Sequence, residues 1–200
     1  MRKLFLLLAC ALFLLSACST SADSSDGYGQ SDLSLYNAET KKEIHLGMTK
    51  EDIEKALGEP LEKTDYFPYY EAPGISIGFR GGTSVLFALR KAEEEGMRED
   101  FSGHFKTSRG ITVNSSYGDF QKKYPTSIRQ DNSFQFYLMR EEEGYTDITA
   151  SFVEDKKPYQ DNISSVYYIY FGNADTSPDA KPSSIYVGDY RAIYMADVEK

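Results

Sequence analysis

The chain has 200 residues, with 22 Lys and Arg against 31 Asp and Glu, for a formal net charge of −9. That balance argues against nucleic acid as a partner and against a basic membrane-binding surface. It carries 16 Tyr and 12 Phe but no Trp, and only two Cys, too few for a disulfide framework.

The N-terminus reads MRKLFLLLACALFLLSAC. Arg2 and Lys3 precede an apolar run, Leu4 to Leu15, of secretory-signal length and too short to span a bilayer. Leu15-Ser16-Ala17-Cys18 resembles a bacterial lipobox. The resemblance implies cleavage before Cys18 and a diacylglyceryl group on its thiol. Cys10 also follows an apolar residue pair and Ala, but cleavage there leaves too short an apolar run. Two acyl chains give stable attachment, since each buried methylene contributes about 0.8 kcal/mol and one chain alone is marginal. The expected mature chain starts at Cys18 and carries a net charge of −11, because Arg2 and Lys3 leave with the signal. One Cys is discarded and the other lipidated, so the fold is expected to be held by its core, without a disulfide. The expected partner at this end is the membrane, through the lipid on Cys18, on the extracytoplasmic face. Ser19 is not Asp, so a diderm host would send the chain to the outer membrane, periplasmic side. A monoderm host would keep it on the outer face of its cell membrane, and the style of signal and tether leans that way.

Residues 18–31 are Ser-, Asp- and Gly-rich with no apolar period, and read as a flexible tether. Two units follow, 32–100 and 101–200. In the first, LGMTKEDIEKALGEP spans 46–60. Thr49 is a good N-cap with Asp52 three residues on; Ile53, Ala56 and Leu57 share a face; Gly58 and Pro60 stop the helix. The expected helix, 50–57, is too short to be stable alone and requires something to lie on. The period then changes to two. Strands are expected at 63–71, 75–80 and 84–91, with Ala72-Pro73-Gly74 and Gly81-Gly82 as turns. Pro68 marks the first as an edge or bulged strand.

The pattern recurs. IHLGMTKEDIEKALG (44–58) lies over ITVNSSYGDFQKKYP (111–125) at an offset of 67. Ile44 meets Ile111, Leu46 meets Val113, Thr49 meets Ser116, Asp52 meets Asp119, Ile53 meets Phe120 and Leu57 meets Tyr124. Further strands are expected at 133–140, 146–153 and 163–171, with longer hairpin tips near 141–145 and 154–162. Residues 172–183 read as a linker, and 184–196 as one more hairpin or edge strand on the second sheet. The expected fold class is α+β, with two tandem units. Each is a short helix packed on an antiparallel sheet of about three to four strands.

LGMTKEDIEKALGEP resembles the signature of small bacterial lipoproteins of the BamE (SmpA/OmlA) type, in its Gly-Met-Thr, acidic first turn, apolar face and Gly-x-Pro stop. RGITVNSSYGDFQKKYP (109–125) is similar to a divergent form of it. Two such units resemble the β-lactamase-inhibitor-protein fold, which implies helices on antiparallel sheets joined into a concave surface. The resemblance covers about residues 40 to 171. It departs in having two units where the BamE type has one, and no disulfides where the inhibitor has one per unit. Neither inhibition nor outer-membrane assembly carries over as an activity.

Catalytic signals are sparse. His45 and His104 lack an H-x-x-H, E-x-x-H or Cys partner, and there is no G-x-S-x-G or phosphate-loop pattern. Glu93-Glu94-Glu95 and Glu141-Glu142-Glu143 read as solvated turns that discourage edge pairing. No enzyme activity, metal or cofactor is expected. The functional hint is aromatic. Tyr66, Phe67, Tyr69 and Tyr70 cluster; Phe134, Phe136 and Tyr137 follow, then Tyr167, Tyr168 and Tyr170. Val166, Tyr168 and Tyr170 share one strand face, opposite Tyr167, Ile169 and Phe171. One face is expected to be core and the other an open tyrosine surface, since Tyr offers both area and a hydrogen bond. The alternative is that tyrosine lines the sheet through β-propensity alone. The sequence points to a lipid-anchored, non-enzymatic binding or envelope-assembly protein with a protein or peptide partner. Tyr69, Tyr70, Tyr137, Tyr168 and Tyr170 are its candidate contacts. The alternative reading is a receptor for a small ligand or cell-wall glycan.

Overall fold

A computed structural model of the chain describes residues 27–64, 69–91, 101–172 and 177–193. The expected signal at 1–17, Cys18, the tether up to residue 26, Tyr66, Phe67, Pro68, Glu93, Glu94 and Glu95 lie outside the described residues.

The fold is α+β. In chain order, β1 (Ser34–Asn37), β2 (Lys42–His45), α1 (Lys50–Leu57), β3 (Glu62–Lys63), β4 (Tyr69–Ala72), β5 (Ile75–Arg80) and β6 (Thr83–Arg90) make the first half. Then come β7 (Phe105–Thr107), α2 (Tyr117–Lys123), β8 (Ile128–Gln130), β9 (Ser133–Glu141), β10 (Gly144–Asp147) and α3 (Thr149–Glu154). Finally β11 (Val166–Gly172), β12 (Ser184–Asp189) and the single-turn α4 (Tyr190–Ile193) close the chain. A small antiparallel sheet has the order β2-β1-β7. A nine-stranded sheet has the order β10-β9-β11-β12-β6-β5-β4-β3, with β8 also on β9.

The helix expected at 50–57 forms with those limits. Thr49 Oγ1 accepts the Asp52 N–H at 3.2 Å. Gly58 turns left-handed (φ 82°), a conformation that suits glycine, and donates to the Glu54 carbonyl at 2.8 Å. Ser116 caps α2 in the same way, with Asp119 closing a reciprocal capping box. The paired positions at offset 67 are treated alike: Ile44, Ile111, Leu46, Val113, Ile53, Phe120, Leu57 and Tyr124 are all buried in one core.

The strands that follow are arranged differently. The meanders β4-β5-β6 and β8-β9-β11 run toward β12 from opposite sides of the sheet. β6 and β11 are each antiparallel to β12, so they point the same way. Tyr70, on the α1 side under the Lys50 ammonium, and Phe171, stacked on α2's Phe120, lie on the same sheet face. No rotation superposes two such meanders, because they have opposite hands. The offset-67 repeat therefore covers the helix and its approach.

Four expected elements differ. The stretch 63–71 is expected as one strand, but Glu62–Lys63 and Tyr69–Ala72 are two strands that pair with each other, since Lys63 opposes Tyr70 across a reversal of the chain. The stretch 146–153 was expected as a strand, but the strand ends at Asp147 and α3 begins. The Asp147 carboxylate accepts the Thr149 N–H at 2.9 Å, which starts the turn. Ile148 and Phe152 fit a four-residue helical spacing as well as a two-residue period, and both are buried on β9's outer side. The strand expected at 163–171 starts only at Val166, because 157–165 wind into 3-10 turns. The segment expected as one more hairpin or edge strand at 184–196 contributes an interior strand over 184–189, paired with β11 on one side and β6 on the other. Its residues from 194 lie outside the described set. Choice of partner is a non-local matter that alternation of Ile185 and Val187 does not reveal.

The main core lies between one face of the large sheet and the layer made by α1, α2 and the small sheet. Phe120 stacks on Phe171 at 4.7 Å and 13°, and Tyr117 meets Phe134 at 4.9 Å. The N-terminal turn Gln30–Leu33 is fastened to this layer. Asp32, 5% exposed, accepts the Gly29 N–H at 2.9 Å and the Arg109 guanidinium at 2.6 Å. Arg109 also lies 4.6 Å above the Tyr28 ring. A second ion pair, Arg80 with buried Asp189, ties β5 to the end of β12.

The centrality of β12 is testable at Gly188. A Cβ there would sit 2.7 Å from Leu86 Cδ1 and 3.0 Å from the Val85 carbonyl oxygen. Gly188→Val is expected to lower unfolding stability by about 2 kcal/mol. Denaturant melts followed by far-ultraviolet dichroism and by tyrosine fluorescence should shift together. An unchanged midpoint would contradict the packing described for β12.

Candidate functional site

The second face of the large sheet is covered at one end by α3, residues 157–165 and α4, which bury Tyr137, Ile148, Phe152, Val166 and Tyr168. A smaller cluster of Tyr69, Leu86 and Ala192 lies under α4. This changes the expected open tyrosine surface. Tyr69, Tyr137 and Tyr168 are 3%, 1% and 5% exposed, so they are interior residues. Tyr70 is half-buried on the opposite face, edge-on to Phe79 at 5.3 Å and under the Lys50 ammonium at 5.4 Å. The cause is tertiary: α3 and the turns after it, where the sequence pattern predicts strand and hairpin tip, cover this face.

Of the five expected contacts, Tyr170 stands at the rim of that cover, half-buried. It pairs across the strands with Tyr186, ring centroids 5.4 Å apart and nearly edge-on. Tyr186 is half-buried too, and the exposed Arg90 holds its guanidinium 5.5 Å above that ring. The row continues inward to Tyr168 (5.7 Å from Tyr170) and Tyr137 (4.9 Å further). Neither Tyr186 nor Arg90 was among the expected contacts. The usable signal for Tyr186 was its alternation with Ile185 and Val187, which fixes its face once β12 is known to lie beside β11.

The site is set by small residues and buried polar groups. A Cβ on Gly172 would fall 2.3 Å from Tyr170 Cζ, so the Tyr170 ring lies along the strand over that glycine. Next to it, buried Gln135 accepts the Tyr137 hydroxyl at 2.8 Å and donates to Ser133 Oγ at 3.0 Å. Burial pushes the Tyr170 phenol up, opposed by the Ser133 hydroxyl; burial pushes the Tyr69 phenol up as well, opposed by Arg90. These phenols stay neutral at physiological pH, so the strip offers aromatic faces, hydroxyl groups and one guanidinium.

The remaining sequence candidates do not join it. His45 Nδ1 is 3.0 Å from the Leu46 carbonyl, and His104 Nδ1 is 3.2 Å from Glu39 Oε2; both rings are at the surface. Glu141, Glu142 and Glu143 are exposed at the β9–β10 turn. Among the described residues, no three His, Cys, Asp or Glu side chains converge as a metal site would require. Among the described residues, no helix is long and apolar enough to cross a membrane.

No protein-family model matches the chain. No curated protein matches it. Among solved structures, an extracellular protein containing a SCP domain from Bacillus anthracis str. Ames is similar at a TM-score of 0.35 and 11% identity. The likeness covers 74% of this chain and 45% of that one, so the chain spans less than half of that structure's length. At this level of similarity it assigns no function.

Two outcomes are expected. Gly172→Ala should turn the Tyr170 ring away, read as a change in the Tyr170–Tyr186 ring contacts by NMR. Unchanged contacts would mean that the glycine is not what seats the ring. For pH, burial raises the phenols of Tyr28, Tyr69, Tyr124, Tyr145 and Tyr170. A raised folded value means that the unfolded chain loses these protons first. Stability should therefore be intact below about pH 10, the unfolded tyrosine value, and fall as pH rises through the folded values. Tyr124→Phe should flatten that fall in urea melts taken between pH 9 and pH 11; a steeper fall would contradict the assignment.

Proposed function

We propose that this chain is an exported, non-enzymatic binding protein, held at the extracytoplasmic membrane face by lipid on Cys18. Its ligand is a protein or peptide. The observation that carries the reading is the Tyr170–Tyr186 pair under Arg90, at the edge of the covered sheet face. Tyr and Arg are the residues enriched at protein interfaces, because a rigid ring and a planar cation give contact area at low entropic cost. In a chain of net charge −9, an exposed guanidinium on an aromatic ring favours a carboxylate or carbonyl of the partner. Two halves, each a capped short helix on three to four antiparallel strands, would form the scaffold, with β12 as their shared strand.

The test is recovery of partners from solubilised membranes with the full chain. Tyr186→Ala and Arg90→Ala should each weaken the recovered interaction about tenfold, as for residues at the centre of an interface, and the exposed Arg90→Ala should do so while leaving the melting curve unchanged. Recovery that is indifferent to Tyr170→Ala, Tyr186→Ala and Arg90→Ala would remove this surface from consideration. Displacement of the partner by cell-wall glycan fragments would instead favour the glycan-receptor reading.

A further inference from the structure

We infer that residues 148–165 are a lid over the second face of the large sheet, and that the Tyr170–Tyr186 strip is the open end of a longer binding row that the lid closes. The use of the row rests on the peptide-binding reading above. Tyr137, Tyr168, Tyr170 and Tyr186 follow one another on that face, with successive ring centroids 4.9, 5.7 and 5.4 Å apart. The outer two rings are half-buried, whereas Tyr137 and Tyr168 are buried. The difference between the pairs is the cover. Phe152 of α3 lies 4.7 Å from Tyr137, and is edge-on to Tyr190 at 5.0 Å and to Tyr159 at 5.4 Å. One of the protein's own rings therefore fills the inner end of the row. The ligand is then a peptide that brings an aromatic side chain to the place Phe152 leaves, with Arg90 at the outer end for a carboxylate or carbonyl.

The way this segment is held allows it to lift as a unit. It leaves the sheet after Asp147 and returns at Val166, and Thr146 and Val166 oppose Met139 from its two sides. Its ends are thus two strand spacings apart, about 10 Å. Of residues 148–165, only Ile148, Thr149 and Phe152 are buried; Tyr159 and Ile163 rest half-buried on the same cluster. α3 has six residues and no side-chain cap at Ile148, so its helix depends on docking. Ser151 Oγ and the Tyr159 hydroxyl, 2.6 Å apart, join α3 to the turns that follow it. At the hinge, Thr149 Oγ1 accepts the Tyr137 N–H at 2.9 Å, and the Ile148 N–H donates to the Tyr137 carbonyl at 3.1 Å. Away from the hinge, the exposed Lys156 donates to the Tyr190 hydroxyl at 3.0 Å, its ammonium 5.4 Å from that ring and 5.7 Å from Phe152. A segment with few buried side chains and an exposed fastening opens at a lower free energy than the core beneath it. The strands below keep their ladder when it lifts, so the row of tyrosines stays in register.

The experiment is amide exchange of the full chain followed by NMR, with Lys156→Ala as the lid variant. The Ile148 and Phe152 amides are both hydrogen-bonded, and in the native protein they should exchange at least about tenfold faster than the slowest amides of β6 and β12. Lys156→Ala should speed these two about threefold further and leave β6 and β12 unchanged, as loss of one hydrogen bond at an exposed residue would. Exchange of Ile148 and Phe152 at the rate of the core overturns the lid, and so does exchange that Lys156→Ala leaves unaltered or raises equally in β6 and β12. The ligand is probed with millimolar N-acetyl-phenylalaninamide, which should shift the Tyr137 and Tyr168 ring resonances more in Lys156→Ala than in the native protein; N-acetyl-alaninamide should not. No difference between the two compounds overturns the aromatic preference. A ligand that needs the open form gains apparent affinity in proportion to the open population. Recovery of the membrane partner should therefore rise in Lys156→Ala by a factor comparable to the rise in lid exchange. Recovery that needs Tyr186 and Arg90 but is unmoved by Lys156→Ala, with lid exchange raised, overturns the longer row and leaves the surface reading standing. Recovery indifferent to Tyr170→Ala, Tyr186→Ala and Arg90→Ala overturns that reading and the use of the row with it.

Discussion

The pairing of β12 with both β11 and β6 is the constraint on which the rest of the structure depends. Ser184 opposes Gly172 on one side and Arg90 on the other, so one short strand joins segments about eighty residues apart in sequence. Such contacts have a loop-closure cost that is met only when the apolar faces come together. Ile185 and Val187 supply this on the helix side, and Gly188 lets Leu86 approach on the other. Without β12, β6 and β11 would each be an unpaired edge, long and apolar, of the kind that invites aggregation. The Arg80–Asp189 pair fastens β12's far end to β5, and Asp189 also accepts the Ala192 N–H at 2.7 Å to begin α4.

The tyrosines divide by what covers them. The helix-side rings, Tyr117 and Tyr124, pack with Phe120, Phe134, Phe136 and Phe171, while on the other face α3 encloses Tyr137 and Tyr168. Tyr is suited to a sheet that is covered over part of each face: the ring is buried, and the hydroxyl finds a polar neighbour at the edge of the cover. Tyr137 reaches Gln135 and Tyr117 reaches the Asn132 carbonyl in this way. Tyr170 and Tyr186 are what remains where that cover ends, and Arg90 adds a positive charge beside the Tyr186 ring.

A buried ion pair holds the N-terminal turn to the core. Asp32 is nearly fully buried, and a buried carboxylate is tolerated because a guanidinium and a backbone N–H both reach it. Arg109 comes from the turn after β7, so the N-terminal turn is clamped by the second half of the chain as well as by its neighbour Gly29. The segment nearest the expected anchor is thereby part of the tertiary structure.

Sequence alone determined what depends on neighbours within a few residues. Thr49, Gly58 and the 53–57 apolar face set α1, and Ser116 with Asp119 set α2, because caps and helix faces act through local hydrogen bonds and spacing. The α+β class and the strands at 75–80 and 133–140 were legible from period-two runs. The TDITASFV stretch was not, since Ile148 and Phe152 satisfy a helical as well as a strand period and burial against β9 decided between them. Partner choice for β12, the hand of the two meanders and the cover over Tyr137 and Tyr168 were decided only by tertiary structure. Each depends on which distant surface an apolar strand or helix meets, and alternation of side chains records that a face is buried without recording by what.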